Sequence, residues 1–85
     1  MKIPTPPGIR AECLKDENLY RRYGKVVSAY DPKSSIGGMY HLDEKQWLIF
    51  FPITPDEFAS RVSTAVASFM DKPVDRKAFK PVVVN

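Results

Sequence analysis

KQWLIFFPITPDEFASRVSTAVASFM, residues 45–70, runs an apolar strand straight into a capped amphipathic helix. The spacing predicts a helix over about 55–70. Thr54 is placed as N-cap, its hydroxyl accepting from the Glu57 N–H while Glu57 reaches back, which makes a capping box. Pro55 takes the first helical position, where a missing N–H costs nothing. Asp56 and Glu57 suit the positive end of the helix dipole. Phe58, Val62, Ala65, Val66 and Phe69 then form one apolar stripe at helical spacing. Asp71-Lys72-Pro73 ends the run. The other face carries Ser60, Ser63, Thr64, Ala67 and Ser68, a solvated face or one small enough for a partner to approach closely.

Upstream, the pattern predicts a β-meander. Lys25–Tyr30 is β-branched and apolar enough for a strand. Asp31-Pro32-Lys33-Ser34-Ser35 has turn chemistry. Ile36–Leu42 is a second strand in which Gly37 and Gly38 mark a bulge. Asp43-Glu44-Lys45 connects it to a third strand, Gln46–Phe51, stopped by Pro52. The near-continuous apolar run of that third strand predicts a central place in the sheet, covered on both faces. The expected fold class is α+β: a small, mainly antiparallel sheet of three to five strands packed on the helix at about 55–70, with a short N-terminal helix.

The first 24 residues divide into three expectations. Residues 1–8, with three prolines, form an extended arm. Ile9–Leu14 alternates like a strand, with helix as the alternative. Asp16–Tyr23 reads as the short helix, capped by Asp16 and closed by a left-handed Gly24. At the other end, residues 72–85 read as an irregular basic tail with an edge strand at 82–84 after Pro81. The whole chain of 85 residues is expected to fold as one domain.

Composition narrows the function classes. An apolar content of 44% is that of a globular chain. No apolar run is long enough to span a bilayer, and the N-terminus lacks the core of a secretory signal. The single cysteine, Cys13, has no internal disulfide partner. A cytoplasmic protein without membrane contact is expected. His41 is the only histidine and falls in a strand, so it reads as structural, and Cys13 reads as a small core residue. One Cys and one His do not build a zinc site. Ser34–Gly38 matches no phosphate-loop pattern. No catalytic residue, cofactor or metal is expected, and the chain is read as a non-enzyme.

Two binding surfaces compete. Tyr30, Tyr40, Trp47, Phe50 and Phe51 fall in adjacent strands whose two faces both need cover. Either the N-terminal segment Ile9–Tyr23 covers the second face, or another protein or a second copy does, which would make these aromatics a partner surface. The alternative rests on charge. Residues 1–26 carry six basic and three acidic side chains, 27–60 two and five, and 61–85 five and two. Basic ends brought together would suit nucleic acid. Tyr20, Arg21 and Arg22, with aromatics interleaved among arginines, and Arg76 and Lys77 are its candidates. The expected α-β-β-β-α order is similar in outline to double-stranded-RNA-binding domains. Such domains present lysines at the start of the second helix, where Thr54-Pro55-Asp56-Glu57 is acidic, so that family is not assigned. The favoured expectation is a small accessory or regulatory factor that binds another protein and forms a homodimer, with nucleic-acid binding as the alternative.

Overall fold

A computed structural model describes residues 3–70 and 74–82. Four antiparallel strands, β1 (Tyr20–Tyr23), β2 (Val26–Asp31), β3 (Ile36–His41) and β4 (Gln46–Phe50), lie in sequence order. The helix α1 (Pro55–Met70) packs on one face. Short 3-10 helices at Ala11–Lys15 and Arg76–Phe79 flank this unit. The α+β class and the long helix of the C-terminal half are as expected.

The helix starts where its capping chemistry puts it. Glu57 N–H donates to Thr54 Oγ1 at 3.2 Å, and Thr54 N–H donates to Glu57 Oε1 at 3.4 Å. Thr54→Ala should destabilise the protein by about 1 kcal/mol by removing the acceptor for that N–H. An unchanged urea midpoint would show the cap to be idle. Phe58, Val62 and Val66 are buried against β2 and the second 3-10 helix. Ser63 is buried too, its hydroxyl turned back to the Ser60 carbonyl, whereas Thr64 and Ser68 face out. Phe69 was expected in the core but is half-exposed; it lies at the last turn of α1 and rests on His41, the end residue of β3, with ring centroids 4.5 Å apart. The stop expected at Asp71-Lys72-Pro73 lies outside the described residues.

The N-terminal part corrects the sequence reading. Asp16–Tyr23 is not a helix, and Ile9–Leu14 is not a strand. Asp16 accepts from the Asn18 N–H at 2.9 Å and so caps a turn, after which Tyr20–Tyr23 extends into β1. Gly24 is left-handed, at φ 62°, but as the first residue of the two-residue hairpin between Tyr23 and Val26. The helical turn falls earlier, at Ala11–Lys15. The order is therefore four strands and then a helix, and the α-β-β-β-α outline does not hold.

An added first strand shifts the centre of the sheet. β2, not β4, is buried along its whole length. β4 was expected to be central; it is an edge strand because, among the described residues, no further strand follows it to pair with. Gly37 and Gly38 are not a bulge, since the β2–β3 and β3–β4 registers run through both without interruption. They permit close approach instead. A methyl on Gly37 would run into the Phe58 ring, and one on Gly38 would meet Ile49 at 2.9 Å and Trp47 at 3.1 Å.

The second face of the sheet is covered by the chain's own N-terminal segment. Ile9 and Cys13 pack on Ala29, with Leu14, Leu19, Tyr20, Ile36 and Trp47 around them. Within the arm, Pro6 is buried and the Pro4 carbonyl accepts from Trp47 Nε1 at 2.6 Å. In the tail, Phe79 is buried, 4.5 Å from the Tyr23 ring, so this part is docked rather than irregular. Of the edge strand expected at 82–84, Val82 is exposed and outside any strand, and residues 83 and 84 lie outside the described residues.

Candidate protein interface

The outer edge of β4 is defined by hydrogen-bond parity. Leu42 N–H bonds the Lys25 carbonyl at 3.0 Å. Alternate residues of an antiparallel strand bond alternate neighbours. The even-numbered residues of β3 therefore bond β2, and the odd-numbered ones bond β4. With Met39 opposite Leu48 and Gly37 opposite Phe50, the inward-bonding residues of β4 are Gln46, Leu48 and Phe50. Trp47 and Ile49 turn their backbone N–H and C=O groups away from β3. Among the described residues, no strand pairs with that edge.

Side chains make this edge apolar. Leu48 is 57% exposed and Phe51 68%. Beside them, α1 leans toward β2, leaving an open groove of about 550 Å³ between the helix and β4. Met39, Leu48, Phe50 and Ala65 line it, with Glu57 and Arg61 as its charged side chains. The Arg61 guanidinium lies 5.1 Å from the centre of the Phe50 ring, a cation–π contact that leaves Leu48 uncovered.

The aromatics expected to meet a partner are placed differently. Tyr30 and Tyr40 are both buried, at 1% and 3% exposure, and have no surface to offer. Tyr30 donates to the Ile53 carbonyl at 2.9 Å, and burial pushes its phenol up from the ordinary value. Tyr40 packs on Trp47 with centroids 5.3 Å apart. Trp47 is half-buried under the arm. Phe51, with Phe50 at its side, belongs to the expected aromatic set and does lie at this edge; Leu48 is the exposed residue the sequence reading missed. The alternation of Tyr20 and Tyr23 with arginines was the available signal. Read as a strand, it makes β2 central and leaves β4 at the edge.

The basic candidates are partly brought together. Arg21 donates to the carbonyls of Glu17, at 2.8 Å, and Ala78, at 3.1 Å, so the two basic ends do meet. Arg22 donates to the Gly24 carbonyl at 3.0 Å. Arg76 and Lys77 lie on the second 3-10 helix, and Lys80, just after it, is paired with Asp56 at 3.0 Å. Tyr20 and Tyr23 are partly buried on opposite faces, so they do not form one stacking platform.

A second, more apolar hollow of about 760 Å³ lies among Tyr23, Lys25, Val66, Phe69, Met70 and Phe79. Val74 also lines it. Cys13 is buried in the inner cluster, and burial pushes its thiol up. Among the described residues, no three His, Cys, Asp or Glu side chains gather as a metal-holding group, and no helix is long and apolar enough to cross a membrane. Comparison with protein-family models, curated proteins and solved structures finds no match to this chain.

Proposed function

We propose that this chain is a small non-enzymatic protein-binding module, an accessory or regulatory factor, and that its β4 edge is the binding surface. One observation carries the reading: an uncharged edge strand with outward backbone groups and a 57%-exposed Leu48. Natural sheets blunt free edges with charge, proline or bulges, because an unguarded edge recruits another strand. Between Gln46 and Phe50 there is none of these. Strand addition combines backbone bonds along an edge with side-chain pockets beside it, and the groove next to Leu48 supplies the second. The cytoplasm is the compartment we favour, supported by a lone cysteine that is buried as a thiol.

Nucleic-acid binding is the second reading, favoured by the contact of Arg21 with Ala78 that joins the basic ends. One experiment separates the two. Wild type, Leu48→Lys and the Arg21→Glu/Arg22→Glu double variant are compared for capture of partners from native extract along a salt series. Leu48 is exposed, so the lysine variant should fold with little change in melting temperature. The expected result is a partner lost in Leu48→Lys, kept in the double variant and insensitive to salt. Binding that survives Leu48→Lys, falls steeply with salt and disappears in the double variant would transfer the function to nucleic acid.

A further inference from the structure

We infer that the β4 edge takes a second copy of this chain, the two β4 strands pairing antiparallel about a two-fold axis at Leu48 to make one continuous sheet. The inference rests on the reading of β4 as a binding edge and names its occupant.

Parity comes first. A two-fold axis at Leu48 places Trp47 opposite Ile49 of the second copy, and Ile49 opposite its Trp47. These are the residues whose N–H and C=O groups already point outward, so each opposed pair exchanges both bonds of an antiparallel ladder. The same axis puts Gln46 opposite Phe50, and every residue of β4 finds a counterpart. Shifting the axis along the strand leaves residues at the ends without one.

Side chains agree with that register. Leu48 meets Leu48 of the second copy on the helix side of the sheet, and Trp47 meets Ile49 on the other. Apolar cross-strand pairs of this kind stabilise a sheet, whereas like charges directly opposite destabilise it. The two edges of this sheet differ in that respect. Pairing β1 with its own copy would crowd Arg21 and Arg22 against arginines. Pairing β4 with its own copy brings no charge against another, because Gln46–Phe50 has none. The adjoining grooves merge into one trough, apolar on its sheet side and edged by Ser60 and Thr64 on its helix side, in which Glu57 and Arg61 of each copy balance in sign. An interface of this kind is isologous, the commonest closed arrangement of identical chains.

The register makes the test specific. In an antiparallel ladder, a non-hydrogen-bonded pair has its Cα atoms about 4.5 Å apart, within reach of a disulfide. Leu48 would form such a pair with itself, whereas Gln46 would sit several residues from Gln46 of the second copy. In a Cys13→Ala background, Leu48→Cys should give a disulfide-linked dimer under mild oxidation, and Gln46→Cys should stay largely monomeric. Sedimentation of the unmodified chain should show the mass doubling as concentration rises, and Leu48→Lys should abolish that rise. Equal cross-linking of the two cysteine variants would overturn the register. A wild type that stays monomeric throughout would overturn the dimer. If that monomer still loses a foreign partner on Leu48→Lys, the binding-edge reading stands without the second copy; if it loses none, both fall.

Discussion

Phe58→Ala should cost about 3–5 kcal/mol, the range for removing a fully buried phenylalanine. Folded domains are held by only about 5–15 kcal/mol, so the variant should lie near its unfolding threshold. The ring is 1% exposed and packs against Tyr30 with centroids 5.3 Å apart. It occupies the space that the missing side chain of Gly37 opens. Little around it can collapse into the vacancy. Tyr30 is tied to the Ile53 carbonyl, and the capping box next to Phe58 fixes where the helix begins. The matching test is Phe69→Ala. Phe69 is 49% exposed, and its loss should cost about 1 kcal/mol, in proportion to the area it buries. Urea denaturation of the pair decides the matter. Equal losses would mean that the last turn docks the helix as firmly as the first.

That contrast shows what the sequence makes legible. The stripe Phe58, Val62, Val66, Phe69 has one period throughout, and the period says which residues share a face. It does not say where the sheet beneath that face ends. The helix start was legible because Thr54, Pro55 and Glu57 act on atoms within a turn of themselves. The hairpin residues Asp43-Glu44-Lys45 were legible for the same reason. Asp16 and Gly24 misled because a capping carboxylate and a left-handed glycine serve turns and hairpins as well as helix ends. Hydrophobicity also misplaced the centre of the sheet. β2 contains Ser28 and Asp31 and is fully buried, whereas the more apolar β4 is at the edge. Strand order depends on how many strands precede and follow: the misread Tyr20–Tyr23 moved β2 inward, and the lack of a strand after β4 among the described residues left β4 at the edge. The candidate site moved accordingly. Tyr30 and Tyr40 went into the core with the new centre, and Leu48 and Phe51 came to the surface with the new edge.

Asp31 caps its turn as its sequence suggests, but its pairing with Arg10 is one that no local pattern reveals, and that partner gives the second large effect. The Asp31 side chain is completely buried at the end of β2. The Arg10 guanidinium grips it from two sides, Nε to Oδ2 at 2.9 Å and Nη2 to Oδ1 at 3.0 Å, and the Arg10 and Lys33 N–H groups add bonds at 3.2 and 3.0 Å. The hydrogen bonds from Arg10 hold the Asp31 carboxyl at about 2, against an ordinary value of 3.8. Removing one partner of a buried pair typically costs about 3–5 kcal/mol because the other is left charged and alone. Arg10 is 39% exposed, and solvent screens that side, so Arg10→Ala should destabilise the protein clearly, though by less than the loss of a partner in a fully buried pair. Arg10→Lys should not restore it, since an ammonium does not match the two-pronged geometry. The pH dependence follows from the sign of the shift. A carboxyl held below its unfolded value contributes stability that is present above about pH 4 and lost as the pH falls toward 2. Wild type should weaken across that window, and Arg10→Ala should lose most of that dependence while being weaker at neutral pH. The consequence reaches the second face of the sheet, because Arg10 sits between Ile9 and Cys13, which cover Ala29 there. Loosening it should lift the segment and let water reach Trp47, whose indole is held by the Pro4 carbonyl. A red shift of Trp47 emission in Arg10→Ala, before global unfolding in urea, is the expected result. An unshifted spectrum with an unchanged urea midpoint would mean that the ion pair holds neither the arm nor the sheet.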